Sequence, residues 1–164
     1  MTGHELVRPY TEALDAEMRR LGYDTFRRTD ENGIEHVCFL LPVNDNGEKV
    51  FTELCVFGMN EYSFCMQLYS TVTGKFENNL TELEKAICNW NLNSFGTYGI
   101  FYPAQNLYHR QINVLDASDS PEKAARLAFY TIAIIREEIN SRLPVILDYI
   151  SADMEDTDET SDGR

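Results

Sequence analysis

Basic charge is scarce in this chain. Lysine and arginine number 14 against 27 aspartates and glutamates, a net charge of −13. A surface of that sign repels phosphate backbones, so no nucleic acid is expected as a partner. It repels anionic lipid in the same way, so no membrane association is expected either. Long apolar runs are missing as well. The longest, near Leu127–Ile135, is interrupted by Thr131 and is far too short to span a bilayer. The opening residues, MTGHELVRPYTEALDAEM, lack the basic-then-apolar order of a secretory signal. Cysteine is sparse: Cys38, Cys55, Cys65 and Cys88 include no CxxC pair, and three of them fall in apolar strand-like runs. Buried free thiols are therefore expected. Together these absences point to the cytoplasm, a reducing compartment. The sequon Asn79-Leu80-Thr81 is then incidental. Neither a P-loop nor a dinucleotide-binding glycine pattern occurs.

Core material is ample. With 43% hydrophobic and 12% aromatic residues, a chain of 164 can build one domain without a disulfide or metal staple. The acidity is uneven. Residues 151–164 hold six acids and one base (−5), while 1–150 hold 21 acids and 13 bases (−8). The expected organisation is a single α+β domain over 1–150 and an acidic, disordered tail over 151–164.

Apolar spacing sets the elements. Val7, Tyr10, Leu14, Met18 and Leu21 draw one helical stripe, which starts near Arg8 because of Pro9 and ends at Gly22. Four strands follow: Tyr23–Thr29, Ile34–Val43, Lys49–Phe57 and Tyr62–Val72. Turns at Glu31-Asn32-Gly33, Asn44–Gly47 and Gly58–Asn60 join them into an antiparallel meander. A second helix begins at Thr81, where Thr81 and Glu84 have capping-box spacing, and buries Leu83, Ala86, Ile87 and Trp90. Asn89 and Asn91 are expected to close its end and pin the next strand. Strands Phe95–Tyr102 and Leu107–Leu115 come next, and Gly96 and Gly99 within the first of them call for close backbone approach or a bulge. Ser118–Glu122 then starts a long helix that runs to about Arg142. Pro144 breaks it, and Val145–Ile150 adds a last turn or two. The fold class is α+β: an antiparallel sheet with helices segregated to one side, in the order α-β-β-β-β-α-β-β-α.

The strands are more apolar than a half-solvated sheet requires. Val37, Phe39 and Leu41 alternate with Ile34, His36, Cys38 and Leu40. Leu54 and Val56 oppose Phe51, Cys55 and Phe57, and Phe64, Met66 and Leu68 oppose Cys65, Gln67 and Tyr69. The middle of the last helix, LAFYTIAII, is apolar nearly all round. Burying about 600 Å² of such surface contributes on the order of 15 kcal/mol before association costs. Two accounts are open: another subunit or a client covers the surplus, or the first helix crosses over and covers it within one chain. The candidate partner-binding residues are Phe51, Phe57, Tyr69, Phe101, Phe129 and Tyr130.

Chemical constellations are weak by comparison. His36 and Cys38 share a strand face, but two ligands are too few for a structural zinc, and His109 lies on a distant strand. Mid-strand thiols among apolar neighbours are poor nucleophiles. No catalytic residue, no metal ligand and no cofactor is expected.

The stretch Leu83–Ala86–Ile87, Asn89-Trp90-Asn91 and Phe95-Gly96-Thr97-Tyr98-Gly99-Ile100, followed by a hairpin and a long helix, resembles the YbjN-like family of bacterial sensory transduction regulators. Over residues 5–150 the element order is also similar to that of type III secretion chaperones. Two features depart from the family pattern: the Pro103–Asn106 loop has no Asp/Gly turn, and the meander carries an extra strand at its front. The resemblance implies a non-enzymatic protein-binding module, chaperone-like or regulatory, acting as a homodimer on a protein client. The alternative is a small-molecule-binding sensor that encloses an apolar ligand between sheet and long helix.

Overall fold

The computed structural model describes residues 3–76 and 80–161. Three helices and six strands alternate as α1 (Gly3–Arg20), β1 (Phe26–Thr29), β2 (Glu35–Pro42), β3 (Lys49–Asn60), β4 (Ser63–Lys75), α2 (Leu80–Asn91), β5 (Thr97–Phe101), β6 (Asn106–Asp116) and α3 (Pro121–Ser161). The α+β class and the element order agree with the sequence reading.

Local chemistry sets the boundaries. In α1, Tyr10, Leu14 and Met18 are buried along one stripe. The helix closes through Gly22 at φ +89°, with Tyr23 N donating to Met18 O at 3.0 Å and Gly22 N to Arg19 O at 2.9 Å. That paired closure needs a left-handed residue, which glycine adopts without steric penalty. In the β1–β2 turn, Asp30 Oδ1 accepts from Asn32 N at 2.9 Å and Ile34 N at 2.8 Å, while Gly33 takes φ +79°. Asn44 plays the same part in the next turn, accepting from Asn46 N and Glu48 N. Ser120 caps α3, its hydroxyl accepting from Lys123 N at 3.3 Å.

All strand pairs are antiparallel, in the spatial order β1-β2-β3-β4-β6-β5. The meander was legible in sequence. The insertion of β6 between β4 and β5 was not, because it is set by long-range pairing. The three helices cover one face of the sheet. Tyr10 of α1 meets Phe64 with ring centroids 5.1 Å apart, and Trp90 of α2 meets Tyr98 at 5.4 Å. From α3, Glu138 reaches His109 and Thr131 reaches Asn113. Val37, Phe39, Leu41, Leu54, Met66 and Leu68 form the floor of this core.

Several expectations change. Helix α1 begins at Gly3, not near Arg8, with Pro9 inside it. A proline in a helix gives up its own amide hydrogen bond and crowds the carbonyl four residues before it, and the backbone ahead of Pro9 is helical despite that cost. Strand β1 is shorter than Tyr23–Thr29. Strand β3 runs through the Gly58–Asn60 turn to Asn60, with a bulge there. Helix α2 starts at Leu80, so Thr81 lies within its first turn; the residues before it, including Asn79, lie outside the described ones. Helix α3 passes through Pro144, where a break was expected, because Leu143 and Ile146 on either side of it are anchored in the core. Helix α3 is drawn on through 151–161, the first part of the acidic segment, and residues 162–164 lie outside the described ones.

Candidate partner interface

Strand side chains alternate faces, so the register fixes which residues share the face turned away from the helices. Three cross-strand rows run over it. Leu40, Phe51, Thr71, Tyr108 and Gly99 form the first. Phe26, Cys38, Glu53, Tyr69, Arg110 and Thr97 form the second. Arg28, His36, Cys55, Gln67 and Ile112 form the third, with Phe57, Cys65 and Val114 beyond it. None of the three helices lies over these rows. Leu40 is 55% exposed, Phe26 53% and Val114 67%. Tyr69 and Tyr108 stack at 4.9 Å, and Phe26 lies over Phe51 at 6.2 Å. Tyr108 also fills the space above Gly99, where an added Cβ would fall 2.4 Å from the Tyr108 hydroxyl oxygen.

Of the six sequence-nominated residues, Phe51, Phe57, Tyr69 and Phe101 lie on this open face. Phe129 and Tyr130 do not join them. They sit on the outer side of α3, 5.3 Å apart and exposed, across the molecule from the open sheet. Phe26, Tyr108, Ile112 and Val114 belong to the face and were not nominated. The period-two pattern of Tyr108, Arg110, Ile112 and Val114 was the available signal. The crossover of α1 onto the second face does not occur, since α1 packs beside α3 on the first.

The open face is nearly neutral in a strongly acidic protein. Its described side chains include Arg28, Lys49 and Arg110 against Glu53 and Asp116. Arg28 Nε donates to Glu53 Oε1 at 2.6 Å, so two of these charges satisfy each other within the chain. Beside them a recess of about 430 Å³ runs from Arg28 and His36 past Gln67 and Tyr69 to Phe101. Burial pushes the Tyr69 hydroxyl up to about 12, helped by neighbouring Tyr108 and Glu53.

Cys38, Cys55 and Cys65 line the floor of the face as buried free thiols, as expected, whereas Cys88 is exposed. Burial raises the Cys38 and Cys65 thiols and takes Cys55 up to about 12, with Glu53 adding to the rise at Cys38 and Cys55. A thiol so placed is protonated and a poor nucleophile. Among the described residues no group of three His, Cys, Asp or Glu is gathered to hold a metal. No described helix is long and apolar enough to cross a membrane.

Two polar junctions hold the sheet edges. Asn91 accepts from Tyr98 N at 2.8 Å and donates Nδ2 to Tyr98 O at 2.9 Å, so one side chain closes part of the free edge of β5. This is the pinning expected of the asparagines; Asn89 is exposed and takes no part in it. At the opposite edge Asp15 accepts from Thr25, Arg19 and Arg27 at 2.5, 3.1 and 3.2 Å, tying β1 to α1. Burial would raise the Asp15 carboxyl. The hydrogen bonds from Thr25 and Arg19, with the charges of Arg19 and Arg27, outweigh it and hold the group below the ordinary aspartate range.

No protein-family model matches this chain, and no curated protein matches it.

Proposed function

We propose that this chain is a non-enzymatic protein-binding module, chaperone-like or regulatory, that works in the cytoplasm as a homodimer joined through the open sheet face. The uncovered six-stranded face carries this reading. At about 4.8 Å between strands and about 3.4 Å per residue, five strand pairings that average seven residue pairs give a footprint of roughly 600 Å². Two copies would bury about 1,200 Å² together, the lower bound of a stable specific interface. Charge selects the occupant. Two chains of −13 repel over most of their surfaces, and the near-neutral sheet lets them meet with their acids turned outward. The raised thiols of the floor favour binding over nucleophilic chemistry. The element order of YbjN-like and type III secretion chaperone domains supports the same reading, and α3 with Phe129 and Tyr130 is left available to a protein client.

Light scattering on the eluting peak of a size-exclusion column tests it. The expected mass is twice the chain mass of 18.9 kDa. Phe51→Glu with Tyr69→Glu places two charges in the contact and is expected to halve that mass while leaving the circular dichroism unchanged. A wild-type chain that stays monomeric at about 100 μM, a concentration at which a dimer with a dissociation constant of about 10 μM or tighter is mostly assembled, refutes the homodimer. A dimer that survives both substitutions moves the interface elsewhere.

A further inference from the structure

The open face differs from one edge to the other. On one edge β1 starts only at Phe26, opposite Cys38, while β2 runs on to Leu40 and Pro42. No described strand flanks those two residues, and the chain reaches this corner from α1 through Gly22, Tyr23 and Asp24. A hollow of about 470 Å³ is left there, walled by Tyr23, Phe26, Leu40 and Phe51. Its floor is Phe39, 1% exposed and packed on Tyr23 with ring centroids 4.9 Å apart. Asp24 and Lys49, both exposed, stand on its rim, one charge of each sign, so the hollow is neutral.

The opposite edge carries a projection. Phe101 ends β5, pairs with Asn106 and is 48% exposed on the open face, with Ala104 beside it at the end of the recess described above. Neither residue is charged, and neither are Gln105 and Asn106 next to them. Projection and hollow stand at the same height along the strands. Leu40, Phe51, Tyr108 and Gly99 share one cross-strand row. Two residues further on, Pro42 pairs with Lys49 at one side and Asn106 with Phe101 at the other.

That placement distinguishes the ways in which two copies can meet. A face-to-face pair with aligned strands has its two-fold axis either across the strands or along them. An axis across the strands lays β1 on β1 and β5 on β5, and both hollows stay empty. An axis along the strands, between β3 and β4, lays β5 over the partner's β1 and preserves height. Each Phe101 then stands over the other copy's hollow, and Leu40 lies over the other copy's Tyr108. A two-fold contact is made twice, so one projection and one hollow per chain satisfy each other completely. The rim charges stay in water, and no unpaired charge is buried.

We propose that the second copy is held in this one orientation, with Phe101 of each chain seated in the hollow between Tyr23, Leu40 and Phe51 of the other. The inference rests on the homodimer proposed above and adds to it the residue that fills the hollow and the axis that relates the copies.

Cross-linking of mixed chains tests it. Asp24→Cys places a thiol at the hollow, and Ala104→Cys places one beside Phe101 while keeping the ring. Both full-length chains also carry Cys88→Ser, which removes the exposed native thiol. Equal amounts are equilibrated together and treated with a short bismaleimide. The expected product is a covalent pair holding one chain of each kind. Two Ala104→Cys chains are not expected to couple, because the axis sets their turns on opposite edges of a six-stranded layer, roughly 24 Å apart at about 4.8 Å per strand. Phe101→Ala is expected to raise the dimer dissociation constant at least about tenfold by sedimentation equilibrium, since each dimer loses two seated rings. A dimer that gives no mixed adduct, or in which Ala104→Cys couples to its own kind, overturns the seating. So does a Phe101→Ala dissociation constant within about twofold of wild type. These outcomes leave the homodimer standing, whereas a monomeric wild-type chain overturns both readings, so the two failures are told apart.

Discussion

Replacing Gly96 with alanine adds one methyl group and is expected to loosen the junction of α3, β5 and β6. The added Cβ would fall 2.3 Å from His109 Cε1, 2.4 Å from Nε2 and 2.9 Å from the Arg110 carbonyl oxygen. Two of these partners belong to a ring that cannot retreat. It is fully buried, packs edge-on against Tyr98 at 4.7 Å, and is fixed by Glu138 at 2.8 Å. The third is backbone. Either the ring turns out of its hydrogen bond or the start of β5 swings away, taking Phe95 N from Glu138. Overpacking costs about 1–3 kcal/mol, and a lost hydrogen bond to a charged group about 1.5–3 kcal/mol. Together these predict a loss of roughly 2–5 kcal/mol, or about 5–15 °C in melting temperature for a chain of this size. Urea unfolding followed by far-ultraviolet circular dichroism measures it directly. Gly58→Ala is the control, because a Cβ there meets nothing within 4 Å. A Gly96→Ala chain within about 0.5 kcal/mol of wild type refutes the close packing of β5 on His109.

Two further predictions concern titration and the β1 edge. His109 is held neutral in the fold by burial, so its pKa is lower than in the unfolded chain. The unfolded state then binds the extra proton, and stability is expected to be complete above about pH 6.5 and to fall as the pH drops below it. Urea midpoints between about pH 5 and pH 8 check this, and His109→Asn is expected to flatten the slope. Asp15→Asn removes a carboxylate bound by Thr25, Arg19 and Arg27 and is expected to cost about 1–2 kcal/mol, discounted for the partly exposed arginines. The Asp15 pKa is depressed in the fold, so its contribution is present above the unfolded aspartate value near pH 4 and is lost as the pH falls. A wild type and an Asp15→Asn chain of equal stability at pH 7 would rule out that anchoring role.

Local rules carried much of this molecule in its sequence. The stripe of Tyr10, Leu14 and Met18, the closure at Gly22, the turns at Gly33 and Asn44, and the alternation of Val37, Phe39 and Leu41 with His36, Cys38 and Leu40 all act over a few residues. Their outcome is therefore readable along the chain. Gly96 and Gly99 could also be marked as points of close approach, though not what approaches them; His109 and Tyr108 arrive from a neighbouring strand. The surplus apolar alternation marked a second face of the sheet richer in apolar side chains than a solvated face requires. Only tertiary pairing decided that β6 enters between β4 and β5, that the helices leave this face open, and that Phe129 and Tyr130 end on the far side from Phe51 and Tyr69. The passage of α3 through Pro144 was decided by burial of Leu143 and Ile146, a long-range gain that outweighs a local preference. The junction of Phe95, His109 and Glu138 was invisible for the same reason: its members come from the α2–β5 turn, β6 and α3, and they meet only in the folded chain.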